Sequence, residues 1–215
     1  MKKKGNEFKG LAGGAGYKRG AAIMGFTNKF YDRAVGTDIP ENPIVALDLG
    51  CGPGAMSYAL AKKVHIGSTI IGIDISDDQL NYARAHADEL PCKPQFINCS
   101  MDELQFPDQH FDIVMTSMAL HETPPEVRRA AIKETARVLK PGGRFILVDW
   151  SKPKFGLFGI LWYPFLLSKS GRDNWNNAYK TLCENEGLML EEDLYLTSAY
   201  RRQVFRKKRP CCCPK

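Results

Sequence analysis

The chain has 215 residues, 44% of them hydrophobic and 25% charged, enough for one globular α/β domain with a full core. Its formal charge of +6 is unevenly spread: residues 1–35 carry eight Lys/Arg against two Asp/Glu, residues 201–215 carry seven against none, and residues 36–200 carry 15 against 22. The acidic body argues against nucleic acid as the partner, because a nucleic-acid enzyme places its basic patch on the face that holds the substrate; no apolar run reaches the roughly 20 residues of a membrane span.

The N-terminal run Met1-Lys2-Lys3-Lys4 has no apolar stretch behind it, so no secretory signal is expected and a cytoplasmic location follows. Residues 1–23 are rich in Lys and Gly, include Gly13-Gly14-Ala15-Gly16, and are expected to be a flexible basic segment. The folded domain is expected over 24–208 and a Cys-rich tail over 209–215. Thr27 is placed to start a short helix with Phe26, Phe30 and Ala34 on one face. A linker over 37–43 leads into the first strand, 44–49.

That strand runs into Leu47-Asp48-Leu49-Gly50-Cys51-Gly52-Pro53-Gly54 and then a helical segment, 55–63. A glycine-rich turn between strand and helix lets the backbone approach a ligand that any Cβ would block. A dinucleotide fingerprint needs G-x-G-x-x-G. Here the glycines fall at 50, 52 and 54, and Asp48 would repel a pyrophosphate while suiting a ligand with positive charge.

Downstream, strands at 69–74, 94–98, 111–116 and 144–150 are separated by helices at 78–90 and 125–139. Ser76-Asp77-Asp78 is a helix start and Lys140-Pro141-Gly142-Gly143 a stop. A helix at 174–187 and two strands, 189–197 and 200–207, close the chain. The pattern predicts a Rossmann-like, seven-stranded, mostly parallel sheet with a C-terminal antiparallel hairpin and helices on both faces.

The glycine turn with its acid resembles motif I of the class I S-adenosylmethionine (SAM)-dependent methyltransferases, close to D-x-G-x-G-x-G. Asn98 to Asp108, continuing into Phe111-Asp112, and Arg137-Val138-Leu139-Lys140-Pro141-Gly142-Gly143-Arg144-Phe145 resemble two further stretches of that family. The resemblance implies a SAM-dependent methyltransferase, with Asp48, Gly50, Cys51, Gly52 and Gly54 around the amino-acid end of the cofactor. A Cβ at Gly50 or Gly52 is then expected to abolish SAM binding with the fold intact. Asp74 closes the second strand 24 residues after Gly50, where it can accept both ribose hydroxyls or cap the next helix, with Ile75 beside it. By resemblance Met101 packs on the adenine and Asp102 accepts from its amino group.

Ligands of open α/β sheets lie beyond the carboxyl ends of the strands, so Thr116 to Glu122, with Ser117, should line the site. His121 and Glu122 are the titratable groups in reach of an acceptor there. His121 is the candidate general base; the alternative is a histidine packed under the next helix. The closest branch of the resemblance holds the quinone-biosynthesis methyltransferases. It implies a small, lipophilic acceptor. Residues 155–167, thirteen in a row without a charge and flanked by Lys152, Lys154 and Lys169, are expected to cap that acceptor, lie at a membrane surface, or form a core helix. A peripheral membrane contact would use this segment and the basic termini. An RNA or protein methyltransferase and a non-catalytic SAM-binding regulator are the alternatives. No C-x-x-C pair is present, so no metal site is expected, and the adjacent Cys211-Cys212-Cys213 are read as tail.

Overall fold

A computed structural model describes Gly5, Ala21 and residues 25–87, 90–152 and 178–209. The expectations for a flexible 1–23 segment, a cap over 155–167 and a Cys-rich tail fall almost wholly outside them. The described elements are α1 (Asn28–Val35), β1 (Val45–Leu49), α2 (Ala55–Ala61), β2 (Thr69–Asp74), α3 (Asp77–Ala85), β3 (Gln95–Asn98), β4 (Phe111–Ser117), a 3₁₀ turn (Leu120–Glu122), α4 (Pro125–Val138), β5 (Leu139–Trp150), α5 (Ala178–Asn185), β6 (Leu188–Tyr195) and β7 (Tyr200–Lys207).

The seven strands form one sheet in the order β3-β2-β1-β4-β5-β7-β6. Strands β1 to β5 pair in parallel, and β7 inserts antiparallel between β5 and β6. The order reverses between β1 and β4, which opens a crevice at their carboxyl ends. Because helices cover both faces, the central strands are apolar on both sides. Along β1, Ala46 faces one core with Phe30, Ala34, Met56 and Leu60, while Leu47 and Leu49 face the other with Ala131, Ile132 and Tyr179. Period-two alternation therefore puts Asp48 on the Ala46 side, under α2.

Local chemistry sets the element ends. Thr27 caps α1, accepting from the Phe30 N–H at 3.4 Å, and Phe26, Phe30 and Ala34 are all buried. Ser76 is the N-cap residue of α3, but its side chain makes no capping bond; the Ser76 N–H instead donates to Asp74 at 2.9 Å. α4 stops at Val138, as the Lys-Pro-Gly-Gly run predicts, yet pairing begins earlier than expected: Leu139 already sits opposite Phe111, and regular register resumes at Arg144 opposite Ile113. The Arg137 guanidinium donates to Leu104 and Phe106 carbonyls and pairs with Glu134 and Asp108, fastening the β3–β4 loop to α4. The last helix ends as read, with Gly187 at φ 77° donating to the Glu184 carbonyl.

The basic run after residue 200 is largely sheet. Arg201 pairs with Asp193, Arg202 with Glu192 and Arg206 with Glu191, so three consecutive acids of β6 neutralise three arginines of β7. The basic count over 201–215 therefore overstates the charge of this strand, because three of its arginines meet acids of β6 on diagonal cross-strand positions. Arg202 goes further. It is buried and donates to the Ala34 and Val35 carbonyls, satisfying the end of α1. Arg202→Met should therefore lower unfolding stability by about 1.5–3 kcal/mol; a urea midpoint equal to that of the unmodified chain would refute the anchoring role.

Candidate functional site

The crevice at the β1/β4 switch opens to solvent on one side and encloses, open mouth included, about 820 Å³ of empty space. The glycine turn forms its floor. The Cys51 N–H donates to the Ile73 carbonyl and the Gly52 N–H to the Asp74 carboxylate, both at 2.9 Å, so the turn is pinned across the end of β2. Gly50, Gly52 and Gly54 have φ of 64°, 51° and 84°, the left-handed region that favours glycine.

Asp48, Gly50, Cys51, Gly52, Asp74, Ile75, Met101 and Ser117 all line the cavity. Gly54 and Asp102, also expected to bind cofactor, are not among the lining residues. A Cβ at Gly54 would lie 2.8 Å from the Tyr58 ring and 2.9 Å from the Phe96 ring, so this glycine serves packing under α2. Asp102 accepts from the Ser100 hydroxyl and stands behind Ser100, which does line the cavity. The two loop glycines also differ. A Cβ at Gly52 would meet nothing within 4 Å, whereas one at Gly50 would fall 2.5 Å from the Ala119 Cβ. Only Gly52 gives a substitution that spares the packing; the expectation of an intact fold fails at Gly50.

The acids have distinct environments. Asp48 is buried and accepts from the Ser57 hydroxyl at 2.6 Å. Burial pushes its carboxyl up to about 7, opposed by the bonds from Ser57. Asp74 accepts from the Gly52 and Ser76 N–H groups, and burial raises its pKa too. It performs the capping that the sequence left open, and still faces the cavity. A carboxylate has about four lone-pair sites, so two backbone bonds leave capacity for a ligand. Cys51 is a buried thiol pushed well up by burial, hence unreactive.

At the β4 exit Met118 has φ 56° and donates its N–H to the Val148 carbonyl at 2.9 Å. This uncommon backbone turns the chain so that Ser117, Met118, Ala119, Glu122 and Thr123 reach the cavity. The Ser117 hydroxyl is buried without a hydrogen-bond partner. Buried polar atoms in native proteins are normally satisfied, so this one is a donor waiting for a ligand or water.

His121 does not line the cavity. Its Nδ1 lies 2.6 Å from Asp149 Oδ1 and its Nε2 3.1 Å from Glu122 Oε1, while its backbone N–H donates to Asp149 Oδ2 at 3.1 Å. Burial pulls the imidazole pKa down, but the Asp149 and Glu122 carboxylates outweigh it and hold it at about 9. Both ring nitrogens are donors in the protonated ring. A general base needs a free lone pair, and His121 offers none at neutral pH. Asp149, almost fully buried, also accepts from the Trp150 N–H at 2.8 Å and the Tyr179 hydroxyl at 3.1 Å. Tyr31 of α1 and Gln79 of α3 line the cavity as well. Neither carries a sequence signal, since both sit on helices whose approach to the crevice is set by tertiary packing.

A parallel sheet closed by one antiparallel strand, with a carboxylate-lined crevice at its switch point, is the class I methyltransferase architecture. Residues 46–143, just under half of the chain, match the family model described as a methyltransferase domain. An uncharacterized methyltransferase of Synechocystis is 36% identical over 146 residues, 68% of this chain and 64% of that protein. The ubiquinone/menaquinone biosynthesis C-methyltransferase of Vibrio vulnificus is 31% identical over 171 residues, 72% of this chain and 65% of its own length. The chain thus spans just under two thirds of the length of these two relatives. Among solved structures, the YcgJ protein of Bacillus subtilis superposes with a TM-score of 0.67 at 19% identity, covering 86% of this chain and all of that one. The [4+2]-cyclase SpnF superposes with a TM-score of 0.69 at 18% identity, covering 98% and 89%. These likenesses establish the fold, and chemistry has to be argued from the site. No helix among the described residues is long and apolar enough to cross a membrane.

Two outcomes check the electrostatics. In a ¹⁵N-histidine NMR titration His121 should titrate near pH 9, well above its ordinary 6.5. Its stabilising pair is then complete below pH 6.5 and lost as pH rises through 9; a midpoint below 7 would refute the ion pair. Asp48 has the opposite consequence, since an acid raised by burial costs stability once ionised. Asp48→Asn should increase stability at pH 8 by on the order of 2–4 kcal/mol while weakening the cofactor; a destabilised variant would contradict the buried-charge reading.

Proposed function

We propose that the chain binds SAM in the β1/β4 crevice and transfers its methyl group to a small apolar acceptor of the hydroquinone class. The observation that carries the cofactor reading is the cavity itself: a glycine cradle with open space at Gly52, the unpartnered Ser117 hydroxyl, and the Asp48 and Asp74 carboxylates in one crevice. These groups fit a molecule with a cationic amino-acid end and a ribose. Bound SAM supplies an electrophilic methyl group on a sulfonium. Asp48 and the 50–52 turn would hold the amino-acid end, and Asp74 the ribose hydroxyls. Ile75 and Met101 would give the adenine its apolar bed. Holding both reactants in one geometry is the chief contribution expected of the protein. The acceptor class is carried by the quinone methyltransferases among the relatives and by the apolar 155–167 run. The cross-strand neutralisation of β7 weighs against an RNA acceptor.

Calorimetry tests the cofactor. Asp48 is half-protonated near pH 7 in the free protein, and a nearby cation favours its ionised form. SAM binding should therefore release protons below pH 7 and strengthen as pH rises to that point, then level off. No binding, or binding with no proton release at pH 6, would count against the assignment. Incubation with SAM and 1,4-dihydroxynaphthalene under reducing conditions should yield a ring-methylated product by mass spectrometry; methylation of RNA or protein fractions alone would replace the acceptor class.

A further inference from the structure

Three carboxylates line the cavity, Asp48, Asp74 and Glu122, and its described lining contains no Lys, Arg or His. Two of them have structural partners of neutral kind: Asp48 takes the Ser57 hydroxyl, and Asp74 takes two backbone N–H groups. Glu122 is held differently. Its Oε1 is 3.1 Å from the His121 ring, and that ring is fixed from behind by the buried Asp149 carboxylate at 2.6 Å. Asp149, His121 and Glu122 form a chain in which an imidazolium stands between two carboxylates. The end that reaches the cavity is the Glu122 carboxylate.

The sheet order gives this end a location. Asp74 and Met101 follow β2 and β3, while Glu122 follows β4, on the far side of β1 from both. With the ribose and adenine held on the β2/β3 side, the sulfur and its methyl group lie toward β4. We propose that the Asp149–His121–Glu122 chain positions the Glu122 carboxylate to distinguish the cationic methyl donor from its neutral thioether product. The proposal rests on the SAM reading given above. It gives the crevice a physical reason to release product: transfer removes the positive charge, and with it the attraction to Glu122, while the other contacts persist. His121 is then a positioning residue, acting through Glu122.

The test is calorimetry with three ligands: SAM, S-adenosylhomocysteine, and sinefungin, whose ammonium-bearing carbon replaces the methylsulfonium. Glu122 is one-third exposed, so Glu122→Gln keeps shape and hydrogen bonding while removing the charge. It should weaken SAM and sinefungin by about tenfold, the order expected for one charge–charge term in a partly solvated crevice, and leave S-adenosylhomocysteine within about twofold. His121→Gln should shift the same ratio in the same direction by about threefold through loss of positioning. Equal weakening of all three ligands by Glu122→Gln, or weakening of none, overturns the charge role; a His121→Gln ratio equal to the unmodified protein's overturns the positioning role. An unmodified protein that binds neither SAM nor S-adenosylhomocysteine would overturn the cofactor reading itself, whereas binding of both without the ratio change sinks only the present proposal.

Discussion

The turn that carries Glu122 to the cavity wall is tied to the end of β5 by one buried carboxylate. Asp149 ends β5 and accepts four hydrogen bonds, two from His121, one from its neighbour Trp150 and one from Tyr179. An isolated carboxylate at that depth would be prohibitively costly, so burial is tolerable only because a cation and three neutral donors surround it. The bonds join the end of β5, the 3₁₀ turn after β4, and α5. The turn carries Glu122 into the crevice, and α5 closes the core beneath it. Loss of Asp149 would take from His121 the nearer of its two carboxylates, from the turn an anchor and from the Tyr179 hydroxyl this hydrogen bond. The same group therefore fixes both a structural corner and the sign of charge at the cavity wall.

The other wall is built on the opposite principle. Asp74 holds the glycine turn with neutral backbone donors, and buried Asp48 is held by neutral donors of Ser57, its hydroxyl and its backbone N–H. Their raised pKa values follow from burial without a cation. A crevice with such acids stores electrostatic cost in the free protein, which a cationic ligand can relieve. That is a trade of stability for binding, a pattern common at functional sites. On the β4 side the charge is already compensated from behind by His121. The two walls thus differ: burial opposes ionisation of Asp48 and Asp74, whereas Glu122 is backed by the His121 imidazolium.

What the sequence made legible was periodic or punctuated. The first strand, the Gly50 to Gly54 turn, Asp74 at a strand end and the helix stop before Lys140-Pro141-Gly142-Gly143 are local features with local causes, and the structure has them in place. The roles of individual glycines were not legible, because Gly50 is constrained by Ala119 and Gly54 by Tyr58 and Phe96, contacts made across the fold. Tyr31 and Gln79 reach the cavity for the same non-local reason. His121 is the sharpest case. Its neighbour Glu122 is visible in sequence, but Asp149 lies 28 positions away, and only the β4/β5 pairing brings it to the imidazole. From sequence, a histidine at a strand exit reads as a base; with two carboxylates on its ring it becomes a cation.

The arginines of β7 carry the same lesson about charge. Counted along the chain, residues 201–215 form a basic block of the kind that binds phosphates. Folded, β7 lies between β5 and β6, and Glu191, Glu192 and Asp193 of β6 meet Arg206, Arg202 and Arg201 diagonally, each two positions from the residue directly opposite. Blocks of opposite sign on neighbouring strands thus pair across the sheet. The Arg206–Glu191 pair, with both side chains about 40% exposed, adds little stability by itself. The effect of the three pairs is on the surface: they remove the field that the linear count implies on this face of the sheet. Recognition by this fold is then left to the crevice, where the carboxylates face a cavity with no basic side chain in its described lining. An anionic polymer finds no complementary charge there, and a compact cation does.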